Sequence, residues 1–234
     1  MKKEYGFILI TYIIMQLSSF LGIPLMAIVG GKMGLPPSFP VTSWLVLSFT
    51  AALIITLFLL RKEMNGSMRN EQALPLGPSA VWAVGGIFLA MMAQSLAGSI
   101  EYLIGIEVGS ENTEQIINMI ENAPIIILIS SIIGPILEEI VFRKVIFGSL
   151  YKRLNFFLSG LISSLIFSFA HGEPEHTLLY SAMGFTFAYL YVKTKRILVP
   201  IFAHVSMNSI VVILQLNQDK LMQYQQLQSF IGGF

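Results

Sequence analysis

The chain has 234 residues, 55% hydrophobic and only 12% charged, with a mean hydropathy of +0.74 and a formal net charge of +1. This composition excludes a soluble globular domain and describes an integral membrane protein, while basic residues scattered between apolar runs exclude a nucleic-acid partner, which needs a concentrated basic surface. With no cysteine present, disulfides, thiolate metal sites and a Cys nucleophile are excluded too, so candidate metal ligands reduce to His and Glu.

A helix needs about 20 residues to cross the hydrocarbon core. Candidate spans lie near 6–29, 41–60, 79–100, 123–150, 156–171, 177–192 and 197–216, about seven crossings. The first follows Met1-Lys2-Lys3-Glu4. It exceeds the roughly 7–15-residue core of a cleavable signal and lacks a convincing cleavage site, so it reads as a retained span. Basic residues mark three loops: Arg61, Lys62 and Arg69; Lys152 and Arg153; Lys193, Lys195 and Arg196. Acidic loops alternate with them, through Glu101, Glu107, Glu111, Glu114 and Glu121, and through Glu173 and Glu175. The positive-inside rule then puts the amino terminus and the basic loops in the cytoplasm, with the carboxyl terminus outside.

Between the third and fourth spans, Asn112-Thr113-Glu114-Gln115 can cap a short helix whose Ile116, Ile117 and Ile120 share one face, as in an interfacial helix. The Gln-rich tail after Asn217 carries Leu221, Leu227 and Phe230 without a firm period. No repeat and no soluble domain interrupts the pattern. The predicted fold is all-α, a polytopic transmembrane helical bundle forming one membrane domain over 1–234. Three spans occupy 1–100, and a core of four spans occupies 123–217.

That core holds the polar intrusions. Glu138, Glu139 and Arg143 lie in the fourth span, His171 ends the fifth, and His204 and Asn208 sit in the seventh. A charge at mid-bilayer costs on the order of 2.5–3.5 kcal/mol, so such residues are read first as a functional site. Glu139 and Arg143 are spaced i,i+4 with the acid N-terminal, the favourable order for a helical ion pair. Glu138 has Val141 and Phe142 at the matching positions; lacking a partner on its own helix, it is a candidate general base or acid. Gly134-Pro135, just upstream, predicts a break in the helix. Phe167 and His171, and His204 and Asn208, are further i,i+4 pairs. Counting from the cytoplasmic ends at about 1.5 Å per residue puts Glu138 and Asn208 about 18 Å deep, His204 about 12 Å and His171 about 24 Å. Singly, each has a bland reading as an interhelical hydrogen-bonder or structural ion pair. Together, on three otherwise apolar spans, they favour a site.

Glu138-Glu139-Ile140-Val141-Phe142-Arg143, then Phe167 with His171, then His204 with Asn208, resembles the three ordered motifs of the CPBP family. That family joins type II CAAX prenyl endopeptidases with Abi-like bacterial proteins that process, or confer immunity to, bacteriocins. The likeness covers roughly Ala123 to Asn217, and Lys144 stands where the family often has Gly. The resemblance implies an intramembrane endopeptidase. In it Glu138 and His171 activate a water, His204 and Asn208 hold the oxyanion, and Glu139, Arg143 and Phe167 give support. Its substrate would be a membrane-embedded or lipid-tethered peptide or protein, and the setting a bacterial cell membrane.

No cofactor is firmly implied. Glu138, His171 and His204 would be the ligands if Zn were used, since two His and one Glu make a known catalytic zinc set, but a metal-free glutamate mechanism is preferred. Other protease designs lack their residues: there is no His-Glu-x-x-His, no Gly-x-Ser-x-Gly, and no Asp before Asp219. A proton-coupled transporter would favour polar groups in both halves, whereas these are confined to one. A catalytically inactive immunity or scaffold protein is the remaining alternative. The site is expected to open toward the cytoplasmic half.

Overall fold

The computed structural model describes residues 2–67, 73–107 and 109–218. Arg69 and the tail bearing Leu221, Leu227 and Phe230 fall outside them. The described residues are helical without strands, an all-α membrane bundle. In chain order the helices are α1 (Lys3–Met33), α2 (Phe39–Ser67), α3 (Leu76–Leu103), α4 (Glu111–Asn122), the composite α5 (126–150), α6 (Phe156–His171), α7 (Thr177–Thr194) and α8 (Leu198–Leu216).

Four helices are long and apolar enough to cross a membrane by length and composition: α1, α2 over Phe39–Arg61, α3 and α8. α6 is apolar but spans 16 residues. The predicted fourth span falls short of that measure because its helix is broken into short α and π segments, and α5 and α7 differ from the four in how deeply their side chains are buried. Arg143, Phe147, Phe187 and Leu190 on these two helices are fully buried. Phe20, Leu21, Phe88 and Leu96 on α1 and α3 are exposed instead. Apolar side chains out and polar ones in is the arrangement that hydrocarbon as solvent favours.

Helix ends follow local chemistry. α1 stops at Gly34, which takes the left-handed conformation (φ 65°) and donates its N–H to the carbonyls of Gly30 and Gly31. Asn155 caps α6 by accepting from the Leu158 N–H at 2.9 Å. The cap of α4 is Ser110, whose hydroxyl accepts from the Thr113 N–H at 3.1 Å; Asn112 through Gln115 instead form the first turns. Ile116, Ile117 and Ile120, expected to share one face of an interfacial helix, pack against Ile126 and Val212.

The fourth predicted span starts at residue 126 rather than 123, because Ala123 is extended (φ −155°, ψ 91°). Its expected break takes the form of π-helical turns, Ile129–Ile133 and Glu139–Phe147, on either side of the α-helical Gly134–Glu138. Pro135 has no N–H for the carbonyl of Ser131, so the ladder cannot run through it in α register. The Gly134 N–H reaches back five residues to the Ile129 carbonyl. A Cβ at Gly134 would lie 3.0 Å from that oxygen, which only glycine tolerates comfortably. Wide turns of this kind recur at functional sites.

α3 packs on α7 and α8, α6 packs on α7, and α1 packs on α2. At the basic end, the Arg196 Nε–H donates to the Leu74 carbonyl at 2.7 Å, and the Leu74 N–H donates to the Thr194 carbonyl at 3.0 Å. The acidic connections gather at the opposite end, around α4.

Candidate active site

The second π segment turns Glu139 and Arg143 into the bundle, both fully buried. Arg143 Nε lies 3.3 Å from Glu139 Oε2, the predicted i,i+4 pair. The guanidinium sits on aromatic rings, with its carbon 4.5 Å from the centroid of Phe167 and 5.7 Å from that of Phe187. Ring faces carry partial negative charge, so they help hold a cation away from water. The other carboxylate oxygen, Glu139 Oε1, accepts from His204 Nδ1 at 3.0 Å. A carboxylate can only accept here, which fixes the proton on Nδ1 and turns Nε2 away from Glu139. Phe187 stacks on the same imidazole at 4.6 Å and 19°.

His204 Nε2 faces Glu138 Oε2 at 3.8 Å, beyond hydrogen-bond reach. The Glu138 side chain is 19% exposed, in contrast to the sealed Glu139. The two adjacent acids are therefore divided by environment. One is locked between Arg143 and His204, and the other is held near His204 with access to water.

His171 Nδ1 lies 2.8 Å from the Phe167 carbonyl, four residues back on α6. The carbonyl can only accept, so Nδ1 carries the hydrogen and Nε2 is left for other partners. The Phe167 ring meets His171 edge-on at 4.4 Å and His204 at 6.2 Å, standing as a wedge that both imidazoles touch. Phe167, His171, His204 and Asn208 line one cavity of about 680 Å³. The Asn208 amide has no hydrogen-bond partner among the described residues, leaving donor and acceptor toward that space. Glu138 and Glu139 meet the cavity through His204 rather than forming its wall. All seven sequence-predicted residues thus fall in one contiguous cluster.

The cavity is walled by the end of α3 (Gln94, Tyr102), the start of α4 (Asn112, Thr113) and the C-terminal half of α8 (Val211, Gln215). These walls lie among the acidic connections, at the end away from the Arg196–Leu74 contact.

A second polar layer escaped the sequence reading. Glu173, in the α6–α7 turn and 6% exposed, accepts from the Tyr180 hydroxyl at 2.5 Å, the Ser110 hydroxyl at 2.8 Å and the Asn112 N–H at 3.0 Å. Burial works against its charge, but these donors prevail and hold its carboxyl below the ordinary range. Glu101, buried at the end of α3, accepts from His176 Nδ1 at 2.9 Å and from the Leu179 N–H at 2.9 Å. An acid at the edge of the apolar third span was the one legible sign of this layer.

The zinc expectation meets the geometry only halfway. Nδ1 of both His171 and His204 is tied to an oxygen, the kind of support that orients metal-binding imidazoles. However, Glu138, His171 and His204 do not bring three donor atoms within 4.8 Å of one another; among the described residues Glu173, Glu175 and His176 do. In that group Glu173 and His176 already serve Tyr180 and Glu101.

Comparison with known proteins agrees with the motifs. Residues 120–210 match the family described as type II CAAX prenyl endopeptidase Rce1-like. The chain is 49% identical over 241 aligned residues to YdiL of Bacillus subtilis (strain 168), named as a candidate membrane peptidase, covering 100% of this chain and 99% of that one. It is 37% identical over 195 residues to the membrane-embedded CAAX protease MroQ of Staphylococcus aureus (strain USA300), covering 80% and 79%. No solved structure matches it. Matching the full length of one such relative and carrying the ordered Glu, His and Asn motifs, the chain belongs to the Rce1-like CAAX protease family of membrane proteins.

Proposed function

We propose that the chain is an intramembrane endopeptidase in which Glu138 and His171 activate a water against the amide bond of a membrane-associated peptide. The observation that carries this reading is the placement of His171, His204 and Asn208 on one cavity with Glu138 3.8 Å from His204. Sequence supplies no Ser, Cys or Asp nucleophile in a recognised setting, so water is the attacking group.

The proposed sequence of events uses only this chain's groups. Water held by Glu138, with His171 Nε2 as second acceptor, loses a proton to the carboxylate as its oxygen bonds to the substrate carbonyl carbon. The resulting oxyanion accepts from His204 Nε2 and the Asn208 amide. Donation from His204 Nε2 requires the imidazolium. With two carboxylates and one guanidinium beside it, that form makes the charge sum of Glu138, Glu139, Arg143 and His204 zero. The tetrahedral species collapses as the proton passes from Glu138 to the departing amine, leaving a new carboxylate and a new amino terminus. Phe167 keeps the imidazoles apart, and Glu139 with Arg143 holds His204 in register.

The core over 123–217 would supply this chemistry, and the spans in 1–100 would wall the cavity through α3. With the amino terminus and basic loops cytoplasmic, the acidic mouth faces outward in a bacterial cell membrane, and CAAX-like or bacteriocin-type tethered peptides are the substrates to try. The test is purified protein with a panel of membrane-tethered peptides, comparing wild type with Glu138→Ala and His171→Ala, with and without chelator. Loss of cleavage in both variants, with wild type indifferent to chelator, is the expected result. Equal cleavage by all three refutes the assignment of the activity to Glu138 and His171, and chelator-sensitive wild type refutes the metal-free mechanism.

A further inference from the structure

His171 is held on three sides, and only two of them belong to its own helix. Its Nδ1 is anchored on the Phe167 carbonyl, and the Phe167 ring stands edge-on to it. The third side is Tyr180 on α7, stacked on the imidazole at 4.2 Å and 28°. A tyrosine ring can swing about two side-chain torsions, yet this one has its hydroxyl fixed on Glu173 Oε2 at 2.5 Å. Glu173 is in turn fixed from across the chain by the Ser110 hydroxyl and the Asn112 N–H at the start of α4. The carboxylate therefore joins the rim of the cavity to a ring that lies flat on the proposed water-activating imidazole.

From this geometry we infer that Glu173 and Tyr180 are a positioning pair: Glu173 clamps Tyr180, and Tyr180 sets the plane of His171 so that Nε2 faces the cavity. The inference rests on the endopeptidase reading for its kinetic consequence, and on the stack alone for its structural one. Neither residue needs to touch the reacting atoms. The Tyr180 hydroxyl is committed to Glu173, with Ser110 Oγ 3.4 Å away. Misplacing a catalytic group by about 1 Å can cost on the order of a hundredfold in rate, and a ring freed to tilt stays within that limit.

The experiment is a double-mutant cycle with Tyr180→Phe, Glu173→Ala and the pair of changes together, in the full-length protein. Tyr180→Phe keeps the ring and removes only its tether. Each single change is expected to lower kcat by about tenfold with KM held within about twofold. The double variant should be no worse than either single, because both remove one restraint. Additive losses, or a rise in KM at constant kcat, overturn the inference, since either would mean independent packing or direct substrate contact. A second readout needs no substrate. Diethyl pyrocarbonate labelling of His171, read by mass spectrometry against His204 in the same molecule, should rise severalfold in both single variants. Unchanged labelling overturns the clamp even if no peptide is ever cleaved, whereas raised labelling without cleavage by wild type counts against the protease reading and leaves the clamp supported.

Discussion

Replacing Glu139 with Gln offers a quantitative check on the architecture around the site. Glu139 is fully buried, and its two oxygens serve two different basic side chains: Oε1 takes the Nδ1 hydrogen of His204 at 3.0 Å, and Oε2 lies 3.3 Å from Arg143 Nε. Arg143 has no other carboxylate partner among its described ion pairs, and its three guanidinium nitrogens make no hydrogen bond. Neutralising Glu139 thus leaves a guanidinium sealed from water among ring faces, with the charge of Glu138 but no directly paired carboxylate. Breaking a buried pair from one side costs about 3–5 kcal/mol. For a chain of this size that is a fall of about 6–20 °C in melting temperature. Arg143→Met alone should cost a similar amount, because it leaves a buried carboxylate with only His204 beside it. Changing both residues, Glu139→Leu with Arg143→Met, should recover most of the lost stability, as replacement of a whole buried pair by apolar groups is often neutral. The recovered protein should nevertheless be inactive, since His204 has lost its anchor. Thermal unfolding in detergent reads all four proteins. A Glu139→Gln variant that melts within about 2 °C of wild type would refute the account, because a shift that small corresponds to less than about 1 kcal/mol.

Other expectations concern packing and pH. A Cβ on Gly184 of α7 would stand 2.6 Å from Ser164 Oγ and 3.1 Å from Ser164 Cα, so α6 and α7 must separate to admit it; Gly184→Ala is expected to destabilise by about 1–3 kcal/mol, and an unshifted melting temperature would contradict the tight crossing. The Glu173 carboxyl lies below its ordinary value of 4.5 in the folded protein. Its contribution to stability is then fully present above that value and is lost as pH falls through the lower, folded one. The stability advantage of wild type over Glu173→Gln should accordingly shrink on acidification in thermal melts, and a constant difference across the acid range would contradict the assignment. His204→Gln keeps polarity without the charged donor, and should lower kcat by on the order of 10²–10³ while leaving peptide binding intact; a purely KM effect would place His204 in substrate binding instead.

Charges inside apolar runs were what made the centre of the site legible. Glu138, Glu139, Arg143, His171, His204 and Asn208 have no business in hydrocarbon unless they meet, and in the structure they cluster around Phe167. The Glu173 layer had no such signature. Its partners Ser110 and Tyr180 lie 63 and 7 residues away, and an acid in a loop, a Ser before a helix and a Tyr in a span are each ordinary where they stand. Pro135 announced a break in α5, but not that two runs of π turns would absorb it, because that form depends on neighbours that keep the wide turns packed. Runs of hydropathy likewise marked about seven candidate crossings. They could not separate α5 and α7, shielded by protein, from α1 and α3, which present Phe and Leu outward.

The central claim is that Glu138 takes a proton from the attacking water. Glu138→Gln changes that side chain by one atom and removes its basicity, so single-turnover cleavage of a membrane-tethered peptide is the most direct measurement. The account expects bound peptide to be cleaved about 10²–10⁴-fold more slowly than by wild type, with its binding retained. Cleavage at the wild-type rate by Glu138→Gln would contradict it.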